Sequence, residues 1–241
     1  DARRVAYRLG FEHYVFNFAV PFKKEVMERF ACAYACGDTP NPCIDCNRYI
    51  KFSRLLERAL LMDMDAIATG HYARVAYDEN TGRYLLKKAV DVSKDQSYVL
   101  YAMTQEQLKR TRFPLGGLYK AEVRAIAQAH GLSNSHKPDS QDICFVSDGN
   151  YAAFLENEFH LPLRPGLITD SAGNKLGMHR GLIRYTIGQR KGLHLSLNQP
   201  KYVISKDGVT NTLVVGDEDE LYRTEFTVKD VNLISVKRLT E

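Results

Sequence analysis

The feature that most constrains this chain is a change of period near residue 146. Before it, helical spacings alternate with short strand-like runs; after it, the signals are paired strands around tight turns. The first pattern calls for an α/β domain with parallel strands, the second for antiparallel hairpins. Residues 1–146 are therefore expected to form one domain and 147–208 a small β-rich one, with a third element over 209–241. The whole chain is 241 residues, enough for two proper cores.

Within the first part, Phe22, Val26, Phe30 and Tyr34 recur every four residues behind Pro21, and Gly37 reads as the stop. A second helix is expected over 53–62, presenting Leu55, Leu56, Ala59 and Leu60. It leads to a compact buried strand, Ala66-Ile67-Ala68-Thr69, and then to Gly70-His71-Tyr72. Gly70 thus sits past the carboxyl end of a strand, where open parallel sheets bind ligands, and leaves room for backbone approach. Thr104 and Gln107 make a capping-box pattern, and a further helix runs over 120–129 to Gly131. After a helix near 151–158, Pro162, Pro165 and Gly166 read as a linker. Hairpins are expected with strands at 168–169 and 175–176, and at 202–205 and 212–215; residues 225–236 again look strand-like.

Composition narrows the class. Apolar residues make up 44% and charged residues 26%, as in ordinary globular proteins. No apolar run approaches the roughly 20 residues of a membrane-spanning helix, so no membrane partner is expected. The net charge of +4 permits an anionic partner without demanding one. Local charge is more telling: from Met178 to His194 the chain carries Arg180, Arg184, Arg190 and Lys191, with His179 and His194 and no acid. Such a stretch is either a solvated face or a contact for a polyanion. Five unevenly spaced cysteines are too few for a disulfide framework, which points to a reducing, cytoplasmic setting. The opening Asp1-Ala2-Arg3-Arg4, with no initiator Met, suggests a fragment.

Chemistry concentrates on thiols. Asn41-Pro42-Cys43-x-x-Cys46 follows a helix end, which places its thiols on a loop. Cys144 lies among polar residues rather than in an apolar run. A Cys-x-x-Cys is a redox pair, half a metal site or a coincidence. Cys32 and Cys36 read as small buried hydrophobes; a four-cysteine zinc site would close poorly across Pro40 and Pro42. Lys94-Asp95-Gln96 is either an exposed polar loop or a base or phosphate contact. His71, with no carboxylate nearby in sequence, reads as structural.

Five motifs then fall in register with one family. Thr39-Pro40-Asn41-Pro42-Cys43-x-x-Cys46-Asn47, Ala68-Thr69-Gly70-His71-Tyr72-Ala73, Lys94-Asp95-Gln96-Ser97-Tyr98, Ser140-Gln141-Asp142-Ile143-Cys144-Phe145 and Thr186-Ile187-Gly188-Gln189-Arg190-Lys191-Gly192 resemble the tRNA-specific 2-thiouridylases, in the same order, from end to end. The resemblance implies a Rossmann-like pyrophosphatase-type nucleotide-binding α/β domain, a small central β-rich domain that binds tRNA, and the start of a C-terminal β-barrel. It implies ATP-dependent replacement of the C2 oxygen of the wobble uridine by sulfur, with ATP and Mg²⁺ and a persulfide sulfur donor. The partners implied are tRNA and a sulfur-carrier protein or desulfurase. Cys46 takes the place of the nucleophile and Cys144 that of the persulfide carrier, a transient disulfide joining them. Gly70 falls on the ATP-contacting glycine. Asn41, Pro42 and Cys43 fall on the loop meeting the target base, and Lys94, Asp95 and Gln96 on a tRNA-contacting triplet; Arg190 and Lys191 belong to the basic stretch. The family's Ser-Gly-Gly-x-Asp-Ser phosphate loop has no counterpart here. Many members carry Asp where this chain has Cys43, which leaves a rival in which Cys43, Cys46 and Cys144 hold an iron–sulfur cluster.

Overall fold

The computed structural model describes residues 1–138, 143–146, 149–195 and 199–239. They form two compact units, neither of them continuous in sequence: the first from 1–25, 43–141 and 230–241, the second from 26–42 and 142–229. No described helix is long and apolar enough to cross a membrane.

In the first unit, β1 (Ile67–Ala68) pairs in parallel with β4 (Thr111–Arg112), and β2 (Ala73–Asp78) and β3 (Arg83–Lys88) form an antiparallel hairpin between them in sequence. A helical run over 42–60 supplies Phe52, Leu56 and Ala59 to the core, where they meet Ile67, Ala73, Leu100, Leu108 and Phe113. Leu108 is fully buried, so truncating it to Ala would cost about 2–5 kcal/mol. Its short helix, Gln105–Lys109, opens on the expected capping box: the Thr104 N–H donates to Gln107 Oε1 at 2.9 Å, and Gln107 N–H to Thr104 Oγ1 at 3.3 Å. The helix Lys120–Ala129 also forms as expected, with Gly131 left-handed beyond it. Gly116 must stay glycine, because a Cβ there would collide with the Ala73 carbonyl.

The second unit holds a four-stranded sheet in the order β6-β5-β8-β7, from β5 (Gly166–Thr169), β6 (Lys175–His179), β7 (Tyr202–Asp207) and β8 (Thr212–Gly216). Both expected hairpins are present, and β5 and β8 pair in parallel. Ile168, Val203, Leu213 and Val215, all fully buried, form its core with Leu182, Tyr185 and Leu193. A second cluster joins the helix Arg29–Ala35 to the helix Tyr151–Phe159 through Phe30, Ala31, Tyr34, Ala152 and Leu155. There Phe30 meets Phe145 edge-on at 5.4 Å and Tyr34 stacks on Tyr151 at 5.1 Å.

Four expectations change. The second helix begins at Pro42, not Ser53, because Pro42 fits a first helical turn and nothing after it breaks the run. The stretch Pro162–Gly166 lies inside the second unit and links no domains in this division. Residue 208, the expected end of the central β-rich part, falls inside the β7–β8 hairpin. Residues 225–236 form no strand; β propensity without a partner ladder does not make one. The carbonyls of Leu233 and Ile234 instead accept from Arg83 at 2.8 Å, Gln105 adds a bond to Ile234 at 3.1 Å, and Asn232 donates to the Tyr101 and Met103 carbonyls.

Candidate functional site

The thiols expected on a loop stand on a helix. Cys43 belongs to the first turn, Pro42–Asp45, and Cys46 opens the wider i→i+5 winding of Cys46–Leu55. Three residues apart, they share a helix face, Cys43 exposed and Cys46 partly so. In the i→i+5 segment Lys51 follows Cys46 by one wide turn, so the same side carries two thiols and an ammonium. Asn47 points the other way and is buried: its Nδ2 donates to the Val99 carbonyl at 3.0 Å, and its Oδ1 finds no partner among the described residues.

Lys51 meets the strand end. Its Nζ lies 3.4 Å from His71 Nε2, and His71 Nδ1 lies 2.8 Å from Thr69 Oγ1. An ammonium only donates, so Nε2 accepts and the ring proton sits on Nδ1, which donates to Thr69. Burial, and after it the nearby Lys51 charge, lowers the His71 pKa to about 4. Phe52 and Phe113 flank the ring at 5.8 and 6.0 Å. The imidazole is therefore neutral at physiological pH. Between Thr69 and His71, Gly70 is exposed, and a Cβ there would touch only Leu115, at 3.7 Å.

The Lys94–Gln96 segment is half-buried and largely occupied with its own shape. Asp95 accepts from the Ala89 N–H at 2.8 Å and from Ser97 Oγ at 2.6 Å; Gln96 Oε1 accepts from the Tyr72 N–H at 3.0 Å.

Cys144 belongs to the second unit, in a turn closed by the Val146 N–H bonding the Ile143 carbonyl at 2.9 Å. Ile143 and Phe145 pack on the helical cluster and Val146 is buried, which leaves the Cys144 thiol exposed at the corner. Ser140, Gln141 and Asp142 of the same motif lie outside the described residues. Asn41 and buried Pro42 end the second unit's first segment. None of the five cysteines is joined in a disulfide. Cys32 and Cys36 are exposed rather than buried: their helix turns Phe30, Ala31 and Tyr34 inward, and the cysteines fall on the other side. Among the described residues, no three His, Cys, Asp or Glu side chains are grouped to hold a metal ion.

The basic stretch divides. Arg180, Arg184, Arg190, Lys191 and His194 are exposed, but His179 is buried. His179 Nδ1 accepts from the Gly181 N–H at 3.0 Å, so its Nε2–H donates to the Asn211 carbonyl, also at 3.0 Å. Burial lowers its pKa. Sequence reading also missed Lys206, whose half-buried ammonium donates to the Tyr185 and Asp38 carbonyls at 3.0 and 3.3 Å and to Thr39 Oγ1 at 3.4 Å.

Two family models match: a tRNA methyl transferase HUP domain over residues 1–148 and a tRNA methyl transferase PRC-barrel domain over 152–217. Curated relatives named tRNA-specific 2-thiouridylase MnmA include those of Acetivibrio thermocellus, 52% identical over 241 residues, Halothermothrix orenii, 49%, and Clostridioides difficile, 47%. Each alignment covers 100% of this chain and 67% of the relative. For a Thermoanaerobacter relative named tRNA-specific 2-thiouridylase MnmA 1, at 50% identity, the shares are 99% and 66%. The chain thus spans about two thirds of the length of the curated relatives it matches.

Proposed function

This chain belongs to the tRNA-specific 2-thiouridylase family, and from that premise we propose that it is part of an enzyme that puts sulfur on C2 of the wobble uridine of tRNA. The observation that carries the reading is the pair of thiol settings: Cys46 partly exposed on a helix face, and Cys144 held outward by buried neighbours. A nucleophile and a sulfur carrier need such accessible, unoxidised thiols.

In the proposed reaction ATP, with Mg²⁺, activates the C2 oxygen as an adenylate on a uridine turned out of its stack. A sulfur-carrier protein or desulfurase loads Cys144 as a persulfide. The terminal sulfur attacks C2 and AMP leaves, giving a Cys144–S–S–C2 link. The Cys46 thiolate attacks the Cys144 sulfur; the S–S bond breaks and its electron pair stays on the sulfur of 2-thiouridine. The resulting Cys46–Cys144 disulfide is reset by an external thiol reductant. Gly70 contacts ATP, while Asn41, Pro42, Cys43, Lys94, Asp95, Gln96, Arg190 and Lys191 contact tRNA. For Asp95 and Gln96 the recorded bonds favour shaping that surface. We place the protein in the cytoplasm and assign catalysis to the first part of the chain, 1–146, with tRNA binding in the β-rich part that follows.

The shared face of Cys43 and Cys46 gives the iron–sulfur alternative its footing. The test uses the full-length enzyme with ATP, a sulfur donor and unmodified tRNA. Cys144→Ser should abolish both persulfide labelling and 2-thiouridine; Cys46→Ser should abolish 2-thiouridine and leave persulfide on Cys144. Persulfide that survives Cys144→Ser refutes the reading. Cys43→Ser keeps at least part of the activity in the persulfide route and loses iron and activity together in the cluster route.

A further inference from the structure

We propose that Lys51 binds an anion: its ammonium, on the thiol face of the helix and beside the carboxyl end of β1, takes a phosphate group. The inference rests on the proposed reaction only for the phosphate's two sources, the nucleotide and the tRNA backbone.

Three observations carry it. Lys51 is half-buried, and its recorded polar partner is the Nε2 of a neutral imidazole. Among the described residues, no carboxylate lies within ion-pair distance of it. A partly desolvated charge facing a neutral ring lacks a counter-charge, and such a charge is costly until an anion supplies one. Nor does His71 relieve it, because Phe52 and Phe113 wall the ring in and Thr69 takes its remaining N–H.

Lys206, in the second unit, provides the contrast. It too is half-buried, but its ammonium donates to three oxygens, two of them carbonyls. Those contacts occupy Lys206 completely and hold the chain between residues 38 and 39 against Tyr185. Lys51 has one nitrogen partner at 3.4 Å and donors to spare. Its location fits the chemistry as well: Gly70 is exposed at the end of a parallel strand, where phosphates are held in open α/β sheets.

The experiment compares full-length wild type with Lys51→Met, Lys51→Gln and Lys51→Arg, measuring affinity for Mg²⁺–ATP and, separately, for unmodified tRNA across a salt series. A nucleotide phosphate at Lys51 predicts about 10-fold weaker ATP binding in the Met and Gln variants, with the tRNA salt slope unchanged. A tRNA phosphate predicts the reverse: ATP affinity intact and a log–log salt slope smaller by about 1. Lys51→Arg should restore most of either loss. The Gln variant keeps a donor for His71 but no charge, so it serves if the Met variant fails to fold. Unchanged ATP and tRNA binding in a folded Gln variant overturns the inference and leaves Lys51 as a support for His71. Thiolation by the wild type, run in parallel, reports on the reaction itself, so the two failures are told apart.

Discussion

His71 and His179 are buried imidazoles of similar chemistry in different units, and they do different work. Each is neutral, each has a pKa lowered by burial, and each has both ring nitrogens engaged. His179 is held by two backbone groups, one donor and one acceptor, and so stitches β6 to the residues before β8. His71 is held by a hydroxyl and a cation, beside an exposed glycine at a strand end. A histidine bonded to backbone on both sides has no capacity left for a ligand. One bonded to a half-buried lysine lies at a place where charge is still unbalanced.

The strongest way to break this contrast is at the helix that carries Lys51. In the full-length enzyme Cys46→Ser should cut thiolation by at least about 10³-fold, read as 2-thiouridine by mass spectrometry, with the melting temperature unchanged. An equal loss from a substitution confined to the His179 pocket would erase the distinction between the two regions.

Next in size is His179→Ala, which orphans the Gly181 N–H and the Asn211 carbonyl in a buried site. It should cost about 2–4 kcal/mol in denaturant unfolding, while activity per folded molecule is retained. Gly166 adds to the constraint, since a Cβ there would crowd both Asn211 and His179.

His71 gives a pH signature. Its folded pKa, about 4, lies below the unfolded 6.5. Above pH 6.5 both states are neutral and the full stability is present. As pH falls from 6.5 toward 4 the unfolded chain takes up a proton that the folded one refuses, and stability drops by up to about 3 kcal/mol. His71→Asn should flatten that part of the curve. His179→Ala should flatten it too, in the same direction, because its pKa is also lowered.

The smallest effect is at the exposed basic stretch. Arg190→Ala with Lys191→Ala should lower the log–log salt slope of tRNA binding by about 1–2 without altering the ATP affinity. An unchanged slope would mark a solvated face.

Local signals were legible and distant ones were not. The Thr104–Gln107 cap, the Gly131 stop and both hairpins depend on residues a few positions apart, and each appears where the spacing puts it. Cys32 and Cys36 were misjudged because the apolar positions of that helix allow two phases, and only packing against Leu155 and Phe145 selects one. His179 reads in the sequence as part of the basic stretch, since its partner, Asn211, lies 32 residues on. Lys51 carries no signal of its own in the sequence: its meaning comes from His71, 20 residues away, and the nearest hint is the glycine that follows a strand. The strand-like character of 225–236 was real propensity without a partner to express it.

The division of residues 26–42 from their sequence neighbours has a consequence for biosynthesis. Phe30, Ala31 and Tyr34 complete their core only with Ala152 and Leu155, more than a hundred residues later in the chain. At ribosomal rates of about 5–20 residues per second, that apolar helix face waits several seconds in the nascent chain before its partners exist. The interval is long enough for holdase chaperones to find it. Yield in cells should therefore follow translation speed between residues 34 and 152 more closely than the stability of the finished fold.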